Sequence, residues 1–173
     1  LPWEDFIPRE GEFPVKGYSL NSALHSVPAC QAIVKKAAAR RLGNAYGCET
    51  LPETGSRYQI QFAIIKDRAS LYLDTSGEGL YKRGYRARNM GAPLRETLAA
   101  ALVTLSRYRG KDPFCDPFCG SGTIPIEAAL IAKNRAPGLN RSFSAQKWDW
   151  LDKEHWLAAA GEAMDKEFDD AYE

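Results

Sequence analysis

The residue types and spacing best suited to chemistry lie in Asp116-Pro-Phe-Cys-Gly-Ser-Gly-Thr123. A carboxylate, then Gly120 and Gly122, then a small hydroxyl residue is how a parallel α/β sheet seats a nucleoside cofactor. Two glycines let the backbone pass close to a ligand in conformations that a side chain would forbid. The helix expected to follow would turn its free N–H groups toward the same place. A dinucleotide site would want a third glycine three residues after Gly122, where this chain has Pro125, and a P-loop would end in Gly-Lys-Ser/Thr, which is also missing. What remains fits a cofactor without a pyrophosphate, such as S-adenosylmethionine. Asp116 can then accept from, or pair with, the cationic methionine end, and the glycine backbone lies against that end and the ribose. A plain strand-to-helix turn that needs glycine only for tightness is the other reading of the same residues.

These residues need elements to position them, and the periodicities supply candidates. Residues 1–25 hold Pro2, Pro8, Gly11, Pro14 and Gly17 and read as strand and loop. Ser26-Val27-Pro28 opens a helix, with Ser26 as N-cap and Pro28 in the first turn. Val27, Cys30, Val34, Ala37, Ala38 and Ala45 form its apolar stripe, and Lys36 and Arg40 fall opposite, with Lys35 beside them. Gly43 and Gly47 are places to stop. Tyr58, Ile60, Phe62 and Ile64 alternate, as do Leu71 and Leu73 after Lys66-Asp67-Arg68, which predicts an antiparallel hairpin. Thr75-Ser-Gly-Glu-Gly79 reads as a hinge. Lys82, Arg83, Arg86 and Arg88 then interleave with Tyr81 and Tyr85. Pro93 starts a helix carrying Leu94, Leu98, Leu102 and Leu105, and a strand ends at Asp116. The helix from Thr123 to about Lys133 is apolar almost all round and is expected to be buried. A last polar helix is capped by Asp152 and anchored by Trp156 and Leu157.

A hydrophobic content of 45% over 173 residues allows a real core, in one domain or parts of two. No apolar stretch is long enough to span a bilayer. The net charge of +1 divides unevenly: residues 1–110 hold 16 Lys/Arg against 10 Asp/Glu, residues 111–173 hold 7 against 12. Such a split suits a basic partner-binding part joined to a less basic catalytic part, and charges scattered over a soluble surface give it equally. Cys30, Cys48, Cys115 and Cys119 lack the second pair or nearby His of a zinc site, so free thiols in a reducing cytosol and no metal are expected. Cys115 and Cys119 would pack beside the glycine turn. His25 and His155 have no triad or metal company.

Asp116-Pro-Phe-Cys-Gly-Ser-Gly-Thr-Ile-Pro-Ile-Glu-Ala-Ala129 strongly resembles the cofactor motif of bacterial THUMP-domain RNA methyltransferases, class I S-adenosylmethionine enzymes related to the large-subunit rRNA guanine-N2 methyltransferase. The likeness extends to Leu73-Asp-Thr-Ser-Gly-Glu-Gly-Leu-Tyr-Lys-Arg-Gly-Tyr-Arg86, Ala92-Pro-Leu-Arg-Glu96, Ser26-Val-Pro-Ala-Cys-Gln-Ala-Ile-Val-Lys-Lys36 and Ala136-Pro-Gly-Leu-Asn-Arg-Ser-Phe143. It implies an α/β chain: residues 1–75 as the later part of an α+β THUMP RNA-binding region, 76–92 as linker, and 93–173 as the start of a Rossmann-like methyltransferase domain. It further implies that Pro93 and Leu94 join Asp116, Pro117, Phe118, Cys119, Gly120, Ser121, Gly122 and Thr123 at the cofactor, and Glu127, a carboxylate costly to bury unpaired on that helix, is expected to bond to loop backbone or to cofactor. Arg95 is a pocket candidate or half of a solvated pair with Glu96, and Glu127 is as readily structural support. The Asn-Pro-Pro-Tyr motif that holds the exocyclic amine in such enzymes is absent, because no Asn here precedes Pro, so no catalytic residue is assigned. The chain is therefore expected to be an internal segment of a longer cytoplasmic enzyme. Its activity would be methyl transfer to a base amine, guanine N2 of 23S rRNA first, with adenine N6 of DNA and a non-catalytic RNA-binding module as alternatives. RNA contact is expected from Lys35, Lys36, Arg40, Lys82, Arg83 and Arg86, by phosphate neutralisation beside tyrosines that can stack.

Overall fold

A computed structural model describes residues 1–86 and 93–168. Arg88 and Ala92 therefore lie outside the described residues. The chain divides into two compact units, the first formed by Leu1–Gly77 with Phe143–Leu151, the second by Glu78–Ser142 with Asp152–Glu173.

In the first unit, strand β1 (Val15–Leu20) leads through helix α1 (Val27–Tyr46) to β2 (Ile60–Ile65), which pairs with β1 in parallel, Val15 opposite Ile60. A helix crossover is what a parallel pair needs. The hairpin expected from the alternation is present: β2 runs antiparallel to β3 (Arg68–Leu73), Ile60 opposite Leu73. Lys66 and Asp67 make its tight turn, both at positive φ (49° and 60°), the backbone that suits a two-residue hairpin. Helix α1 starts after Ser26 and ends on Gly47 at φ 64°, but the Ser26 hydroxyl makes no capping bond. Its buried face corrects the expected stripe. Cys30, Ala38 and Leu42 are buried, whereas Ala37 and Ala45 are exposed, because the face follows the four-residue spacing from Cys30 through Val34 to Leu42.

The core of this unit is apolar, with Tyr58, Phe13, Phe62, Ile7, Leu42 and Ile60 fully buried. The segment 143–151 contributes to it. Trp148 stacks on Tyr58 with ring centroids 5.0 Å apart and donates from Nε1 to the Arg57 carbonyl at 2.9 Å. The Ala145 amide donates to the Thr75 carbonyl at 3.0 Å.

The second unit contains α2 (Glu96–Leu105), α3 (Thr123–Ala132) and α4 (Lys153–Asp165). Three expectations fail there for a shared reason. The strand expected to end at Asp116 has no ladder, since the only sheet among the described residues is the three-stranded one in the first unit. A single parallel strand needs neighbours to bond to. Without a sheet to cover them, the helices lie partly open. Helix α3 buries only Thr123, Glu127 and Ala128, and α2 buries Glu96, Ala99 and Val103 while its predicted leucine stripe is exposed, Leu98 at 51%, Leu102 at 44% and Leu105 at 79%. Helix α2 also begins three residues after Pro93. Helix α4 is capped as expected, Asp152 accepting from the Glu154 amide at 2.8 Å, but the expected anchor Leu157 is 73% exposed. Among the described residues no helix is long and apolar enough to cross a membrane.

Candidate cofactor site

The glycine turn is built by short local bonds. Asp116 Oδ1 accepts from the Phe118 amide at 3.0 Å, and the Cys119 carbonyl accepts from the Gly122 amide at 2.8 Å. Gly120 and Gly122 both have positive φ, 54° and 75°, a backbone that disfavours any other residue. A side chain at Gly120 would meet none of the described residues within 4 Å, so among them the turn presents bare backbone to open space. Gly122 is the N-cap of α3, whose first residues include Pro125, which lacks an amide hydrogen. Asp116 is half-buried, Phe118 is 92% exposed, and Cys115 and Cys119 are exposed free thiols, not packed against the turn as expected.

Behind this turn lies a network that sequence reasoning did not assign. Arg86 donates from Nε to Glu96 Oε1 at 2.6 Å, and from Nη2 to the Leu94 carbonyl at 2.7 Å and the Thr123 hydroxyl at 2.9 Å. Thr123 in turn lies 3.1 Å from the Ser121 hydroxyl. One guanidinium thus ties the Pro93–Glu96 segment to the glycine turn, two stretches expected at the same cofactor. Glu127 occupies the interior of α3 at 2% exposure, Oε1 accepting from the Tyr85 hydroxyl at 2.9 Å and Oε2 from Arg83 at 3.4 Å. Its carboxylate is thus bonded to protein side chains. Burial, the bond to Glu127 and that carboxylate's charge all push the Tyr85 phenol above its usual range. The signal in the sequence was the basic–aromatic run 82–86, whose arginines match the two carboxylates buried on α2 and α3.

The six expected RNA contacts separate. Arg83 and Arg86 are engaged in the network just described and present no free charge. Lys82 is exposed and pairs with Glu78 at 2.8 Å, one helical turn's spacing away. Lys35 is anchored in the first unit, Nζ 2.6 Å from Glu53 Oε2, 3.2 Å from the Phe13 carbonyl and 3.4 Å above the Phe13 ring centre. Lys36 and Arg40 are exposed without an ion pair among the described residues, and they flank an open groove of about 580 Å³ with Asn44 and Thr50.

The chain joins an α/β unit to a helical unit that bears an open positive-φ glycine turn ahead of a helix. Its structural neighbours are described as methyltransferases. A Listeria monocytogenes structure described as "a predicted N6-adenine-specific DNA methylase" superposes with a TM-score of 0.91 at 52% identity, over 96% of this chain and 44% of that one. The structure "SMU.472, a putative methyltransferase complexed with SAH" gives 0.89 at 40% identity, over 98% of this chain and 45% of that one.

The chain belongs to the RMKL-like methyltransferase family, whose domain model matches residues 83–169, and the THUMP domain model matches residues 1–74. It is 51% identical to the Bacillus subtilis protein named "Putative RNA methyltransferase YpsC" over 96% of this chain and 44% of that protein. It is 34% identical to "Ribosomal RNA large subunit methyltransferase K/L" of Magnetococcus marinus, over 96% of this chain and 24% of that one. The chain thus spans less than half the length of these curated relatives.

Proposed function

We propose that the protein takes part in S-adenosylmethionine-dependent methyl transfer to an exocyclic base amine of RNA, guanine N2 of 23S rRNA being the specific target. The observation that supports this most is the glycine turn: bare backbone at Gly120 facing open space, with Asp116 half-buried at its entrance. The cofactor would be held by residues 116–123 together with Pro93 and Leu94, and when bound it supplies a methyl group on a cationic sulfur. Asp116 accepts hydrogen bonds from, or pairs with, the cationic amino-acid end. Arg86 keeps Leu94, Glu96 and Thr123 in register. Such positioning is a large share of what a direct transfer between two bound reactants needs. RNA as partner is supported by the THUMP match and by the curated names of the relatives.

Adenine N6 of DNA is the second reading, favoured by the description of the Listeria neighbour. Calorimetric titration of the chain with S-adenosylmethionine tests the cofactor half. Heat of binding that Asp116→Ala abolishes is expected, and no binding at all would leave a non-catalytic RNA-binding module. RNA affinity should fall as salt rises, and Lys36→Glu with Arg40→Glu should lower it further. Tighter binding to DNA of the same sequence would turn the assignment to the second reading.

A further inference from the structure

A cleft of about 680 Å³ in the second unit is lined by Tyr81, Lys82, Arg83, Pro93, Arg95 and Arg141, among others, and beyond the pairs Lys82–Glu78, Arg83–Glu127 and Arg86–Glu96 its lining still carries the guanidiniums of Arg95 and Arg141. The turn that carries Tyr81 is fixed more firmly than an exposed turn requires. The Lys82 amide closes it onto the Gly79 carbonyl at 2.9 Å. Arg141 then donates to three of its carbonyls, Glu78 at 2.6 Å, Gly79 at 2.9 Å and Lys82 at 3.2 Å. Water would satisfy those carbonyls equally well, so what the clamp adds is a fixed orientation.

The residue so oriented is Tyr81. Its ring edge lies against Gly79, where a side chain would overlap it. The Arg95 guanidinium sits 5.2 Å from the ring centre, and Arg95 has no carboxylate partner among the described residues. An aromatic ring beneath an unpaired guanidinium, in a cationic cleft, suits a planar π-system joined to a phosphate chain.

We propose that this cleft receives one unpaired base of the RNA strand, stacked on the Tyr81–Arg95 pair, with the Lys82 ammonium exchanging its exposed partner Glu78 for the adjoining phosphate. The proposal rests on the RNA reading above and adds to it the place where a base is gripped. A short single-stranded RNA carrying one 2-aminopurine is the probe, since stacking quenches its fluorescence.

The wild-type chain should quench the probe. Tyr81→Leu should lose the quench and weaken RNA affinity about tenfold, the usual scale for one lost base–aromatic stack. Tyr81→Phe should restore both, and Arg95→Ala should lower affinity with the fold untouched. S-adenosylmethionine titrations should be the same for wild type and both Tyr81 variants, which also certifies that those are folded, and circular dichroism certifies the fold of Arg95→Ala. Unchanged quench and affinity in Tyr81→Leu would overturn the proposal. So would loss of cofactor binding with RNA binding kept, which would make the cleft the seat of the cofactor's adenine. A wild-type chain that binds S-adenosylmethionine but no RNA would fail the RNA reading itself.

Discussion

The two units are held together by different physics. In the first, the large buried side chains are Tyr58, Phe13, Phe62, Ile7, Leu42 and Ile60, and its cations lie at the periphery, Lys35 on Glu53 and Arg41 on Glu4. In the second, two carboxylates are among the few buried side chains, Glu96 and Glu127, each meeting an arginine from residues 83–86. Apolar burial stabilises roughly in proportion to area and tolerates small shifts of partners. A buried ion pair gives little net stability but fixes geometry, because separating the partners strands a charge. The first unit is therefore a packed scaffold, and the second is organised around the position of the glycine turn.

Truncating a core side chain in the first unit should have the largest effect. Phe62→Ala removes a ring that is 2% exposed and should destabilise by about 3–5 kcal/mol. Trp3, Trp148 and Trp150 report that unit in a urea titration followed by fluorescence, whereas Trp156 lies in the other. A far smaller loss would show that the apolar core is loosely packed. In the second unit, Arg86→Met leaves Glu96 buried and unpaired and should destabilise by about 3 kcal/mol, within the range for breaking a buried pair. The double change Arg86→Met, Glu96→Met should recover most of that. Cofactor affinity should nevertheless stay low in the double variant, because Thr123 and Leu94 are no longer tied together. Stability and affinity recovering together would erase the distinction between the two units.

What could be read from the sequence follows the same division. The hairpin, the Ser26–Gly47 helix and the buried alternation from Tyr58 to Ile64 were all legible, since the first unit covers its own apolar faces. In the second unit the leucines of α2 and the isoleucines of α3 read as core, yet Leu98, Leu105 and Ile126 are exposed. Periodicity reports which face is apolar, not whether a neighbour covers it. The glycine turn was legible because positive φ demands glycine at 120 and 122. The ties of Arg86 and Arg83 were hidden, because a run of basic residues looks alike whether it faces phosphate or buried carboxylates 10 and 44 positions on. The return of residues 143–151 to the first unit left no periodic trace either: it rests on single residues such as Trp148.

Tyr85 refines the comparison at intermediate size. Tyr85→Phe removes one hydrogen bond to a buried carboxylate and should destabilise by about 1–2 kcal/mol near neutral pH. The phenol is raised above its ordinary value of about 10 by burial and by Glu127. Folding therefore favours the protonated form. Its contribution is complete below about pH 10 and is lost as pH climbs from there through the folded value. Urea midpoints should thus fall more steeply on the alkaline side in wild type than in Tyr85→Phe. Parallel slopes would mean that the hydroxyl is solvated.

The smallest expected effect lies on the open face of α2. Leu105 is its last helical residue and 79% exposed, two positions from buried Val103. Leu105→Lys removes almost no buried area and places a cation where the helix dipole favours one. Its stability should remain within about 0.5 kcal/mol of wild type. Light scattering should fall, since exposed leucines at 98, 102 and 105 form an apolar strip on which copies can associate. If Leu105→Lys instead destabilises as strongly as Arg86→Met, then Leu105 is buried in solution and the second unit has an apolar core after all.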